Sequence, residues 1–151
     1  DENTESESPL SKQISDLEID GVKLAESGDA EGALRKFEEA ILLDPQRPSA
    51  YNNRAQTLRL FNRIDEALED LNSAISLSNG KGKSACQAFT QRAMIYRLKE
   101  RDDQAKEDFQ KAAELGSEFA KAQLVQMNPY AALCNKMLHD VFTKIQKGER
   151  Y

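Results

Sequence analysis

The stretch YNNRAQTLRLFNRIDEALEDLNSA, from Tyr51 to Ala74, decides the fold, because its spacing recurs on both sides of it. Leu17 stands 34 residues before Tyr51, and Phe89 stands 38 after it. The same two offsets relate Ala55 to Gly21 and Ala93, Leu58 to Leu24 and Tyr96, and Ala67 to Ala33 and Ala105. They also relate Leu71 to Phe37 and Phe109, and Ala74 to Ala40 and Ala112. Columns of matching type at fixed offsets are the signature of a repeated supersecondary unit. Small residues at Gly21, Ala55 and Ala93 let the first helix of each unit approach the second closely, and Ala33, Ala67 and Ala105 do the same from the other side. The large members fill the gaps between neighbouring helices. Such a hairpin cannot bury its apolar face alone, so the units must stack.

Working outward, the pattern predicts an all-α chain of three stacked helical hairpins over residues 14–117, in units of about 14–47, 48–81 and 86–117. The first unit runs from about Ile14 to Glu26, turns at Ser27-Gly28-Asp29 and continues from Ala30 to Leu43. The second runs from Pro48 to Leu60, turns near Asn62-Arg63 and continues from Ile64 to Leu77. Ser78-Asn79-Gly80-Lys81-Gly82-Lys83 is rich in breakers and absorbs the four-residue insertion. The third unit opens near Ser84, turns at Arg101-Asp102 and stops before Gly116.

Residues 118–151 lack the repeat. Phe119, Leu124, Met127, Tyr130, Leu133, Met137, Leu138, Val141, Phe142 and Ile145 fall at roughly helical spacing, interrupted by Asn128-Pro129. A short helix, a kink and a final helix to about Lys147 are expected, serving as a C-terminal cap over the last exposed face of the stack. A dimer surface or a partner-helix site is the alternative for this stripe. At the other end, residues 1–13 read as a disordered acidic tail.

Composition narrows the function. Of 151 residues, 39% are hydrophobic and 31% charged, which suits a helical protein with a modest core and a solvated surface. No apolar run is long enough to cross a bilayer, so no membrane-spanning helix is expected. The net charge of −5 is uneven: Asp1, Glu2, Glu5 and Glu7 concentrate it in the tail and leave the body nearly neutral. Without an excess of Lys and Arg, duplex nucleic acid is not an expected partner. Cys86 and Cys134 are too few for a disulfide framework or a zinc site and read as free thiols in a reducing cytoplasmic setting. The chain begins at Asp1 rather than Met, so upstream residues are expected to be missing, and no signal peptide is visible.

Catalytic chemistry is not in evidence. His139 is the single histidine and lies five residues after Cys134, off its helical face, so a Cys–His site is not expected. Gly80-Lys81-Gly82-Lys83 lacks the spacing and the hydroxyl residue of a phosphate-binding loop. No catalytic residue, cofactor or metal is expected.

A binding groove is. The first helix of each unit lines the concave face of such a stack. Counting along those helices places Glu18, Ile19 and Val22 there from the first unit, and Asn52, Asn53, Gln56 and Arg59 from the second. The third contributes Gln87, Thr90, Gln91, Met94 and Arg97. Amides both donate and accept hydrogen bonds and guanidinium groups bind carboxylates, a combination suited to an extended peptide.

The order of aromatic, small, aromatic, Ala, aromatic and Ala in these columns, closed by Pro45 in the first unit, resembles the tetratricopeptide repeat family over about residues 14–117. Ala50-Tyr-Asn-Asn-Arg-Ala-Gln56, Arg101-Asp-Asp103 and Asn128-Pro-Tyr-Ala-Ala-Leu-Cys134 are similar to one small branch of that family, linked to the seventy-kilodalton heat-shock chaperone. The resemblance implies a cytoplasmic, non-enzymatic adaptor with a chaperone partner, and an association with tyrosine catabolism; separately, a monomer is expected. Many co-chaperones of this family hold the chaperone's terminal Glu-Glu-Val-Asp with a carboxylate clamp of Lys and Asn, Asn, then Lys and Arg. By position those five fall on Glu18, Val22, Asn53, Gln87 and Gln91, so only Asn53 is kept and Glu18 would repel the anion. Each lost charge-assisted hydrogen bond is typically worth about 1.5–3 kcal/mol. Arg54, Arg59, Arg92 and Arg97 remain as substitutes, but Arg54 and Arg92 sit nearer the helix packing than the groove. Any chaperone contact is therefore expected to use a mode other than capture of a terminal carboxylate, or the basic C-terminal extension.

Overall fold

The computed structural model describes residues 8–148, so the acidic run expected to be disordered lies outside the described residues up to position 7. Eight helices follow in order: α1 (Pro9–Glu26), α2 (Ala30–Leu43), α3 (Pro48–Leu60), α4 (Ile64–Leu77), α5 (Gly82–Leu98), α6 (Asp102–Glu114), α7 (Glu118–Met127) and α8 (Pro129–Gln146). Three hairpins, α1–α2, α3–α4 and α5–α6, stack in sequence, and α7 packs on α6.

Two helix starts differ from the spacing. The tail does not run to residue 13: α1 begins at Pro9, because the Ser8 hydroxyl accepts from the Ser11 N–H and Pro9 takes the first helical turn, where its missing donor costs nothing. The third unit begins two residues before Ser84, at Gly82.

The turns inside the hairpins explain the constant register. Gly28, Asn62 and Glu100 occupy one column and all carry positive φ, at 92°, 63° and 60°. In each case the next amide reaches back to close the helix, from Asp29 to Leu24, Arg63 to Leu58 and Arg101 to Tyr96, at 2.7–2.9 Å. This is the left-handed helix stop that Gly adopts freely and Asn tolerates, whereas Glu100 adopts it under strain.

Packing then follows the columns. Phe37, Leu71 and Phe109 are completely buried, as are Ala33, Ala67, Ala105, Ala40, Ala74 and Ala112. Gly21 has no room for a side chain: a Cβ there would lie 2.5 Å from the Phe37 ring. Between the helices of a hairpin the structure adds buried ion pairs. Arg54 donates to both oxygens of Asp70 at 2.8 Å, and Arg92 to both oxygens of Asp108 at 2.7 and 2.8 Å. Arg54 also lies over the Tyr51 ring, and Arg92 over Phe89 and Tyr96.

The cap is shorter than expected. α7 does the covering: Ala120 is buried, Leu124 and Met127 pack against the last core cluster, and Phe119 meets Phe109 edge to face with ring centroids 6.3 Å apart. α8 does not. It has no buried residue, and Tyr130, Leu133, Met137, Leu138, Phe142 and Ile145 are all more than half exposed. The reason is local. Asn128 is extended, with φ −75° and ψ 117°, and its side chain caps α8 by accepting from Tyr130 and Ala131. The chain therefore ends one helix and starts another at a new angle instead of laying the stripe back on the stack.

Candidate functional site

Residues recurring on α3 and α5 meet because these two helices are the first helices of adjacent units. Asn52, Asn53, Gln56 and Arg59 from α3 share one cleft with Gln87, Thr90, Gln91 and Met94 from α5. Its volume is about 400 Å³, and Cys86 and Ser117, which the spacing does not single out, complete its wall. Arg97 does not line this cleft. Its guanidinium donates to Gln123 Oε1 at 2.7 Å and ties α5 to α7. Ile19 and Val22 from α1 line a second, more apolar cleft of about 450 Å³, joined to the first by Asn53.

The polar groups of the first cleft are positioned by neighbours far along the chain. Asn52 is 3% exposed, and its amide nitrogen donates to the Ser84 carbonyl at 2.9 Å. Gln91 donates through its amide nitrogen to the Asn52 backbone carbonyl at 3.4 Å. Both nitrogens thus face carbonyl oxygens, which fixes the orientation of each amide, since a flip would set oxygen against oxygen. Asn52 Oδ1 and Gln91 Oε1 are then left buried without a hydrogen-bond partner.

Arg59 is the third such group. Its Nη1 rests 3.9 Å from Met94 Sδ, and its buried Nε has no partner. Among the described residues no acid ion-pairs with it. Burial alone pulls its pKa below the ordinary arginine value, whereas the hydrogen bonds that Arg54 and Arg92 donate to Asp70 and Asp108 raise theirs. Arg54 and Arg92 therefore belong to the interior of the hairpins, as their distance from the groove positions implied.

Glu18 requires a correction. It is 8% exposed, accepts from the Ser49 hydroxyl at 2.7 Å and lies 3.6 Å from Arg47 Nε. Its charge is compensated at the α1–α3 junction, so the expected repulsion of an anion loses its basis. What the clamp positions lack is cations. Glu18, Asn52 and Thr90 form one more column, and in the first two units it links a helix to the start of the next unit's first helix. That column is visible in the sequence once polar residues are aligned as carefully as apolar ones.

Comparison with known proteins agrees with this architecture. Two tetratricopeptide repeat models match, over residues 36–69 and 87–116. Tetratricopeptide repeat protein 36 of Danio rerio is 55% identical over 99% of this chain and 80% of its own length. The chain belongs to the tetratricopeptide repeat protein 36 family. The Caenorhabditis elegans member is 64% identical over 88% of this chain and 74% of its own, and the Homo sapiens member 52% over 90% and 72%. Among solved structures, the first such domain of Spaghetti (RPAP3), bound to the HSP90 peptide SRMEEVD, superposes with a TM-score of 0.68 at 21% identity, covering 80% of this chain and 94% of that one. The second such domain of human RPAP3, in complex with the HSP70 peptide SGPTIEEVD, gives 0.66 at 23%, covering 78% and 96%. These two likenesses show the fold alone, a stack of tetratricopeptide helical hairpins. Among the described residues no helix is long and apolar enough to cross a membrane.

Proposed function

We propose that this chain is a non-enzymatic, cytoplasmic scaffold whose α3–α5 cleft takes an extended segment of a protein partner, within an adaptor linked to a heat-shock chaperone. The observation that carries the reading is the floor of the cleft, where Asn52 Oδ1, Gln91 Oε1 and Arg59 Nε are buried and unpaired. A buried polar group without a partner costs about 1–3 kcal/mol, a cost that a bound peptide removes. Structural neighbours that hold chaperone tail peptides support the chaperone link at the level of the fold. The clamp positions here do not: Val22, Gln87 and Gln91 offer no cation, and only Asn53 is retained. The chaperone contact therefore does not depend on a terminal carboxylate.

Calorimetric titration with a chaperone-tail peptide ending in Glu-Glu-Val-Asp, beside its C-terminally amidated twin, tests this. Equal behaviour of the two is expected. Micromolar binding abolished by amidation would overturn the argument and assign carboxylate capture to Asn53 and Arg59. A second reading, a self-associating module, rests on the open apolar stripe of α8. Sedimentation at several concentrations disposes of it if the mass stays that of one chain. An adaptor for an enzyme of tyrosine catabolism, without direct chaperone contact, predicts that the chaperone is not co-purified in the presence of ATP.

A further inference from the structure

The unpaired groups of the α3–α5 cleft differ in kind, and the difference specifies a ligand. Asn52 Oδ1 and Gln91 Oε1 are acceptors, buried and unpaired on two residues that line the cleft, and the nitrogen of each amide is committed to a backbone carbonyl. A terminal carboxylate, which only accepts, satisfies neither of them. A primary carboxamide satisfies both, since its nitrogen carries two N–H donors. A lysine ammonium is the other donor-rich group, but the cleft offers it no counter-charge. Arg59 is the one lysine, arginine or carboxylate side chain lining the cleft, and it is already cationic.

Arg59 asks for the opposite partner. A half-buried guanidinium with no acid nearby gains most from a carboxylate, bound through two parallel hydrogen bonds. Asn52 and Arg59 are seven residues apart on α3, two turns along one face, which separates them by roughly 10 Å along the helix. A chain in the open, three-residue-per-turn polyproline II conformation covers that distance in about three residues and sets the two side chains on one face.

We infer that the cleft reads an internal peptide segment in which a carboxamide side chain and a carboxylate side chain stand about three residues apart, the carboxamide bridging Asn52 and Gln91 and the carboxylate held by Arg59. This rests on the groove reading above and adds the chemistry of its ligand. No free chain terminus is required.

The test uses the whole chain, labelled for NMR, and peptides blocked at both ends. Acetyl-Asn-Ala-Ala-Asp-amide and acetyl-Asp-Ala-Ala-Asn-amide present the pair in both chain directions. Acetyl-Asn-Ala-Ala-Asn-amide removes the carboxylate, and acetyl-Ala-Ala-Ala-Asp-amide removes the carboxamide. One of the first two is expected to shift the Asn52 and Gln91 side-chain amides and the Arg59 Nε–H, and each control to bind about tenfold more weakly. In Arg59→Gln the Asp and Asn peptides are expected to bind alike, while the peptide without a carboxylate keeps its affinity. If all the peptides shift the groove equally in the unmodified chain, the groove binds peptide but the inference fails. If none shifts any groove signal, both the inference and the groove reading fail.

Discussion

Arg54 and Arg59 stand on the same helix, five residues apart, and meet opposite surroundings. Arg54 faces into its own hairpin, where Asp70 takes both of its hydrogen bonds and Tyr51 lies under it. Arg59 faces the next unit and, among the described residues, meets a methionine sulfur as its one polar partner. Arg92 and Asp108 repeat the first arrangement one unit later, at the same separation of 16 residues. Inside the hairpins, then, the packed polar groups recur as matched pairs. On the groove floor they are held in place and left unmatched. Stability is built into the first region, and the second carries a cost that no hydrogen bond among the described residues offsets.

The contrast can be broken most severely from the interior. Asp108→Ala leaves the Arg92 guanidinium desolvated without its anion, since Asp108 is 2% exposed, and is expected to cost about 3 kcal/mol in chemical denaturation. Replacing Arg92 and Asp108 together by apolar residues of similar volume is expected to recover most of that loss, because it removes the uncompensated charge. Gly21→Ala comes next. The new methyl collides with the Phe37 ring, and although alanine favours the helix, a net loss of about 1–2 kcal/mol is expected, read as a lower midpoint in the same measurement.

The groove is expected to answer differently. Gln91→Met removes a buried acceptor that has no partner together with one long 3.4 Å hydrogen bond, so thermal stability should stay level or rise by about 0–1 kcal/mol. Peptide binding should weaken in the same variant. A large loss of stability would mean the groove floor belongs energetically with the hairpin interior. The smallest effect is expected at the exposed Arg63–Glu66 pair. The Arg63 hydrogen bond holds the Glu66 carboxyl below its ordinary pKa, so the pair stabilises the fold at neutral pH, and this contribution is lost as pH falls through the lowered value. Glu66→Gln should therefore lower the melting temperature slightly at neutral pH and not at all in acid, with the neutral-pH difference shrinking further in high salt.

Much of this molecule is legible before any coordinates. Apolar columns located the hairpins, Gly28 and Asn62 marked their turns, and Pro129 marked the break ahead of α8. The Arg54–Asp70 and Arg92–Asp108 pairs left a trace that the sequence reading did not pair, since both members recur with the 38-residue offset. The first unit carries Asp20 and Lys36 at those positions, with the charges reversed, and there Lys36 reaches Glu39 at 3.9 Å. That exchange hides the column from anyone aligning residue types.

Other features were not legible. Helical spacing gave α8 an apolar stripe but no direction, and spacing alone made a cap the natural reading. Whether a stripe is covered depends on the angle at which the helix leaves Asn128, a matter of two dihedral angles that no periodicity records. The same limit applies to the groove. Asn52, Gln91 and Arg59 could be placed on the concave face by counting, because the side on which a residue projects is fixed by 3.6 residues per turn. Which of their atoms would remain unpaired was decided by Ser84, by the backbone of Asn52 and by Met94, brought from more than thirty residues away. Sequence by itself determined the repeating unit, since each hairpin's pattern is local. Only the stacking of one hairpin on the next decided which hydrogen bonds were made and which groups were left unpaired, because hydrogen bonding depends on distances of a few tenths of an ångström between groups that the chain does not connect locally.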